Sequence, residues 1–216
     1  MTRRDVLRSA WAAGPALGGV RARASMPTPR ILTEPHLLSE ESGVHFQQML
    51  SGCQAVPHDL LIVPGIREMS AERAERLRSR TVGGAWVILE SGLCFAGEGK
   101  RREQTGLWEK AFGLRFARSG RVSELFVEYA WPVRQIVRGF DVGTLLESAE
   151  GVIAWSGGKP VCCRRRLGRG GVIFLGSMLG PGLGAGEREA ELVGRELIEV
   201  IRDPVRSLTL PAPIRR

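Results

Sequence analysis

The chain has 216 residues, of which 43% are hydrophobic and 25% are charged. This balance is sufficient for one folded domain with a sizeable core, and it excludes a largely disordered protein. The net charge is +8, but five arginines and one aspartate within the first 24 residues contribute half of it. The one basic cluster in the rest of the chain, Arg164–Arg166 with Arg169, is accompanied by no nucleic-acid-binding motif. Nucleic acid is therefore not an expected partner.

The N-terminus has the layout of an export signal. Residues 2–8 read TRRDVLR, which resembles the twin-arginine motif, and a weakly apolar, Ala- and Gly-rich stretch follows over 9–20. Residues 22–24 (ARA) then fit the small-x-small pattern that signal peptidase accepts. We therefore expect a signal peptide over 1–24, cleavage before Ser25, passage through the twin-arginine translocase, and a periplasmic or extracellular mature protein. The alternative interpretation is a disordered basic tail or a helix lying on a membrane.

The first half of the mature chain predicts alternating strands and helices. Residues 31–33 are a short strand candidate, and 44–50 could form one or two helical turns. The apolar run 59–65 ends at Pro-Gly and is typical of a buried parallel strand. Ser70 is placed to cap a helix that ends near Arg80, before a Gly-Gly pair and a second apolar strand over 85–89. This order predicts a βαβ unit.

The second half predicts a hairpin region and a closing helix. A short helix is expected within 107–116 and a strand within 122–131. Glycine pairs separate the apolar runs of 151–175, as in a meander of hairpins. A final amphipathic helix is predicted over 187–202, and the Pro-punctuated residues 203–216 form a separate tail. The side chains predicted to be buried are Leu61, Val63, Val87, Leu89, Ile173, Leu175 and Leu197.

Two stretches resemble a known superfamily. They read DLLIVPG…LRSRTVGGAWVILESG and VIAWSGGKPVCCRRRLGRGGVIFLGSMLG, the second followed by a helix. Together they resemble the class I glutamine amidotransferase-like superfamily, and within it a non-catalytic branch that includes the β-galactosidase trimerisation domain and trehalose-utilisation-like proteins. The resemblance covers roughly residues 30–202. It implies an α/β, flavodoxin-like fold: a mainly parallel sheet flanked by helices, with a C-terminal hairpin, in one domain over 25–202.

Cys94 is the sharpest candidate for catalysis. The segment 92–97 reads GLCFAG and resembles an amidotransferase nucleophile elbow, in which a tight turn after a strand presents a thiolate. Ala96 stands where the second glycine of that motif belongs, however. The mechanism also requires a histidine downstream of the cysteine, whereas all three histidines lie upstream and only His36 is attractively placed. We therefore favour a buried thiol over a nucleophile at this position.

Acidic residues at strand ends are the second candidates. Glu90 falls at the carboxyl end of its predicted strand, where open α/β sheets bind ligands, and Glu34 could share that rim. Such a pair could perform acid-base chemistry or could simply cap loops. The spacing of histidines and acids fits no metal site. The glycine-rich segment 180–186 lies too near the end of the chain for a dinucleotide fold, so we expect a flexible connection there and no bound cofactor.

Four cysteines permit three disulfide pairings in an exported protein: Cys53, Cys94, Cys162 and Cys163. Cys162 and Cys163 are adjacent in a predicted strand, so their side chains should point to opposite faces and should not bond to each other.

The sequence therefore favours a non-catalytic binding or assembly module with a small-molecule or protein partner, and the resemblance suggests that this partner is saccharide-related. A small hydrolase that uses Cys94 or the strand-end acids is the alternative. A third interpretation is an accessory subunit carried along by an exported enzyme.

Overall fold

The computed structural model describes residues 30–31, 44–46, 48–49, 60–92, 97–117, 125–147 and 151–202. Eight strands and four helices have their bounds within them, and residues 44–46 and 48–49 are also helical. The strands are β1 (Arg30–Ile31), β2 (Leu60–Ile66), β3 (Trp86–Ser91), β4 (Phe126–Tyr129), β5 (Gln135–Arg138), β6 (Val152–Ser156), β7 (Lys159–Leu167) and β8 (Gly170–Leu175). The helices are α1 (Ala71–Gly83), α2 (Glu98–Phe112), α3 (Gly180–Gly184) and α4 (Arg188–Arg202).

All eight strands form one sheet in the order β1-β2-β3-β8-β7-β6-β4-β5. The strands β1, β2, β3 and β8 pair in parallel. From β8 onwards every pairing is antiparallel. The protein is therefore a mixed α/β fold whose sheet has a parallel half and an antiparallel half.

The predicted βαβ unit is present as β2, α1 and β3. The β2 and β3 strands pair in parallel, and Ser70 caps α1 by accepting a hydrogen bond from the Arg73 amide at 3.2 Å. Gly84 follows the helix with φ of 127°, a conformation that favours glycine and turns the chain into β3. The local chemistry of the cap and of the glycine pair thus sets both ends of the helix.

Two hydrophobic clusters lie on the two faces of the sheet. Leu61, Val63, Val87 and Leu89 face α1 and α2, and the residues between them in each strand face α4. The apolar stripe of α4 is buried as its period predicts; its members are Ala190, Val193, Leu197, Val200 and Ile201. All seven side chains predicted to be buried are fully buried.

The expectation of a mainly parallel, flavodoxin-like sheet is wrong for the sheet as a whole, since four of its seven pairings are antiparallel. The reason is that 125–175 contains five strands, and short connections join β4 to β5, β6 to β7 and β7 to β8. Short connections of this kind impose antiparallel neighbours. The predicted C-terminal hairpin is confirmed as β7 and β8, and β6 extends it into a three-stranded meander.

Two other expectations need correction. The helix expected within 107–116 begins earlier and forms α2 over Glu98–Phe112. The glycine-rich segment 180–186 begins with the short helix α3 instead of a flexible connection. Its glycines permit close packing: a Cβ at Gly184 would lie 2.0 Å from the His45 ring, and a Cβ at Gly182 would lie 3.0 Å from Ala190.

Cys162 and Cys163 point to opposite faces of β7, as predicted. Cys162 belongs to the cluster beneath α4 and Cys163 to the cluster beneath α1 and α2. Both are free thiols. Cys53 and Cys94 lie outside the described residues.

Candidate functional site

The candidate site lies at the carboxyl ends of β3 and β8, where an open α/β sheet offers space for a ligand. Three connections meet there: the end of β2, the residues that follow β8, and the loop 139–146 from the antiparallel half. The buried polar residues Glu90, Ser91, Thr144 and Ser177 are contributed by these segments and by the end of β3.

Glu90 is completely buried at the centre of this region. Its Oε2 accepts a hydrogen bond from the Gly65 amide at 2.8 Å. Its Oε1 accepts hydrogen bonds from the amides of Leu179, at 2.5 Å, and of Gly180, at 2.9 Å. The carboxylate therefore binds three backbone donors at once and joins the end of β2 to the start of α3. Neither oxygen faces solvent in this structure, and the interpretation of Glu90 as a ligand-facing rim acid stays a prediction.

Glycine permits the close approach of the strand ends around Glu90. Gly65 has φ of 51° at the irregularity that ends β2, and this conformation turns its amide toward the carboxylate. A Cβ at Gly92 would lie only 2.5 Å from the Gly65 carbonyl oxygen. The Gly92 amide donates to the Ile66 carbonyl at 3.0 Å and completes the contact.

Polar side chains fasten the loop 139–146 over the same end of the sheet. The hydroxyls of Ser91 and Thr144 are hydrogen-bonded at 2.9 Å. The Ser177 hydroxyl accepts from the Phe140 amide and donates to the Phe140 carbonyl, both at 3.0 Å. The same carbonyl accepts from the Met178 amide at 2.7 Å. The loop 139–146 is therefore held against the ends of β3 and β8.

Asp141 is the acid in this loop with the most unusual environment. It has φ of 54°, which Asp tolerates better than most residues. Burial raises its pKa, the Arg67 charge lowers it and the Glu90 charge raises it, and the resulting pKa is about 7. This partly buried carboxyl group therefore changes its charge close to neutral pH.

The described thiols are unsuited to nucleophilic catalysis. Burial raises the pKa of Cys162 to about 11, and Tyr129 lies beside it with its hydroxyl 3.8 Å from the sulfur. Burial likewise raises the pKa of Cys163 to about 12. Neither group forms a thiolate at neutral pH, and the thiolate is the reactive form.

The structure brings together only part of the predicted site. Cys94, His36 and Glu34 lie outside the described residues, so their placement relative to Glu90 stays a prediction. Asp141 and Thr144 were missed by sequence reasoning, because a positive φ and a loop that folds back over a sheet have no signature in a single sequence. Among the described residues, no group of three potential metal-ligating side chains is present.

Two surface grooves lie away from Glu90. One, of about 830 Å³, runs between the start of α1 and the middle of α2 and is lined by Ser70 and Gln104. The other, of about 640 Å³, lies between α2 and the end of the loop 139–146, beside Arg101 and Thr144. Their walls mix acids with bases. In the described part of the chain, no helix has the length and apolar character needed to cross a membrane.

No protein-family model matches the chain, and no curated protein matches it. The solved structures that are similar to it include two glycosidases. Exo-β-1,4-mannosidase Op5Man5 from Opitutaceae bacterium strain TAV5 matches 65% of this chain at 12% identity, with a TM-score of 0.46. The β-galactosidase from Bacillus circulans sp. alkalophilus matches 77% of it at 13% identity, with a TM-score of 0.49. The matches cover 24% and 27% of those two chains, about a quarter of each. Similarity at this level establishes neither a shared family nor a shared activity.

Proposed function

We propose that the chain is an exported, non-catalytic domain that binds or assembles with a saccharide-related ligand or partner. The observation that carries the non-catalytic part is the arrangement of Glu90. A carboxylate that is fully buried and bound to the amides of Gly65, Leu179 and Gly180 contributes to stability and cannot reach a substrate. The loop 139–146 covers the strand ends beside it and supports the same conclusion.

The saccharide-related part of the proposal rests on the resemblance of segments 59–92 and 152–180 to the non-catalytic amidotransferase-like branch. The flavodoxin-like ancestry that this resemblance implies is compatible with the parallel half, β1 to β3 and β8. Under this proposal the antiparallel strands β4 to β7 are an addition to a smaller parallel core.

The competing function is a hydrolase that uses Cys94. One observation supports this alternative. The strand β3 ends at Ser91, so the elbow-like segment 92–97 begins directly after a strand, as a nucleophile elbow does. Replacing Cys94 by Ser separates the two functions. Loss of a true nucleophile removes the covalent route and lowers the rate by orders of magnitude. Loss of a structural thiol lowers only stability, by about 1–3 kcal/mol if the new hydroxyl lacks a partner.

The experiment compares the melting temperature of Cys94→Ser with its ability to complement a strain that lacks the gene. We expect full complementation, with an unchanged or slightly lowered melting temperature. A variant that melts like the wild type and fails to complement would show that Cys94 takes part in a chemical reaction, and this would contradict the proposal.

Export is tested separately. We expect the mature protein to begin at or near Ser25 and a change of Arg3-Arg4 to Lys-Lys to stop translocation. An intact N-terminus on protein retained in the cytoplasm of an export-competent host would contradict this part of the proposal.

A further inference from the structure

Among the described strands, β5 ends the sheet, and its outer edge presents backbone groups that pair with no other described strand. The Gly139 amide donates to the Leu125 carbonyl at 2.6 Å, which fixes the phase of the ladder between β5 and β4. Hydrogen-bonding residues alternate along an antiparallel strand, so the amides and carbonyls of Ile136 and Arg138 point away from β4. Within the described part of the chain, β5 is the last strand in this direction.

Each face of the sheet carries apolar side chains near this edge. On one face Val137 is buried beneath α4. On the other face Ile136 is 60% exposed, and Phe126 of the neighbouring strand is 54% exposed. The strand contains no proline, and its register with β4 is regular, so two of the usual protections of a free sheet edge are missing.

We propose that β5 pairs with β5 of a second copy of the chain, antiparallel and about a two-fold axis at Val137. In this register Ile136 of each copy lies opposite Arg138 of the other. The amides and carbonyls that point outward from these two residues then form four backbone hydrogen bonds across the axis. The two eight-stranded sheets become one continuous sheet, and the two α4 helices lie on the same side of it.

The charges near β5 favour the register centred on Val137, and they favour a second copy of the chain as the partner of this strand. Glu128 is the neighbour of Ile136 on β4, so pairing about Val137 places Arg138 of each copy near Glu128 of the other. Pairing about Ile136 would instead set Arg138 directly opposite Arg134, and like charges opposite each other destabilise a sheet. The strand β5 thus supplies both the apolar Ile136 and the charged Arg138, which complements Glu128 of the second copy.

The contact involves about four residues per copy and falls at the small end of specific interfaces, below about 1,200 Å² in total. We therefore expect a dimer with a dissociation constant on the order of micromolar. This inference specifies a partner for the assembly role in the proposed function and rests on that role. Absence of the dimer would contradict this inference alone, whereas failure of Cys94→Ser to complement would contradict the proposed function.

Sedimentation velocity of the mature chain from about 1 to about 100 µM, a range that brackets this affinity, tests the proposal. We expect a concentration-dependent shift from monomer to dimer, and loss of the dimer in Ile136→Lys. Leu192→Lys, at an exposed apolar position of α4 that is 40% accessible, is the matched control and should dimerise like the wild type. A wild-type chain that stays monomeric over this range, or a dimer that survives Ile136→Lys, would overturn the inference.

Charge reversal tests the register and does not depend on Ile136→Lys folding. Arg138→Glu should weaken the dimer at least about tenfold, because two acids then face each other across each side of the axis. Adding Glu128→Arg to the same chain should restore most of the lost affinity. A double variant no better than Arg138→Glu alone would contradict the register centred on Val137.

Discussion

Replacing Glu90 by Gln distinguishes a carboxylate that stabilises the fold from one kept for chemistry. The amide oxygen of Gln can still accept from Leu179 and Gly180, but its NH₂ group then faces the Gly65 amide, donor against donor. One charge-assisted hydrogen bond, worth about 1.5–3 kcal/mol, is lost, and a buried amide is left without its acceptor, at a cost of about 1–3 kcal/mol. Removal of the buried charge offsets part of this loss. We therefore expect a net destabilisation of about 2–4 kcal/mol.

Urea unfolding followed by circular dichroism measures this difference, and an unchanged m-value shows that the unfolding transition is comparable in the two proteins. Glu75→Gln is the control, since Glu75 is exposed and forms a surface ion pair with Arg78. It should change stability by less than about 0.5 kcal/mol. If Glu90→Gln is as stable as the wild type, or more stable, the three amide hydrogen bonds do not outweigh the cost of burying the charge. The structural role assigned to Glu90 would then be refuted.

Three further predictions concern the core, the loop and the strand ends. Leu89→Ala should lower the free energy of unfolding by about 2–5 kcal/mol, because Leu89 is completely buried. A loss below about 0.5 kcal/mol in the same urea titration would show that the position of β3 in the core is wrong. Burial raises the pKa of Asp141 from 3.8 to about 7, so the stability that it contributes is complete below about pH 4 and is lost as the pH rises through 7. The stability of Asp141→Asn relative to the wild type should therefore increase by about 1–2 kcal/mol between pH 4 and pH 8, after allowance for partial exposure, and a difference independent of pH would contradict the assignment. Gly92→Ala should cost about 1–3 kcal/mol because its Cβ would overlap the Gly65 carbonyl, whereas Gly83→Ala, with open space around it, should leave the melting temperature unchanged or raise it.

Local patterns predicted the parallel half of the fold well. The continuous apolar runs of β2 and β3, the Ser70 cap and the period of α4 are each determined by residues close in sequence, so a single sequence reveals them. The strand order of the antiparallel half was not predicted. It depends on pairings such as that of Glu128 with Trp155, which are separated by many residues and leave no periodic signal.

The sequence placed Glu90 at the end of β3, where it lies, but did not reveal its partners. A carboxylate at the end of a parallel strand marks the usual ligand-binding edge, and Glu90 lies there. Its actual partners are backbone amides of Gly65 and of the segment that follows β8, and backbone donors have no side-chain signature. The loop containing Asp141 and Thr144 covers this edge through contacts across more than 30 residues, which neither composition nor spacing could reveal.

The central claim, that this domain works without an activated nucleophile, is tested most directly by the pH dependence of thiol alkylation in the folded protein. Iodoacetamide labelling followed by peptide mass spectrometry gives a rate for each cysteine. We expect Cys162 and Cys163 to be protected, because both are buried and both have a raised pKa. We expect Cys94 to react no faster than a free cysteine, with a midpoint at or above about pH 8.5. Rapid labelling of Cys94 with a midpoint near or below about pH 7 would identify an activated thiolate and contradict the account.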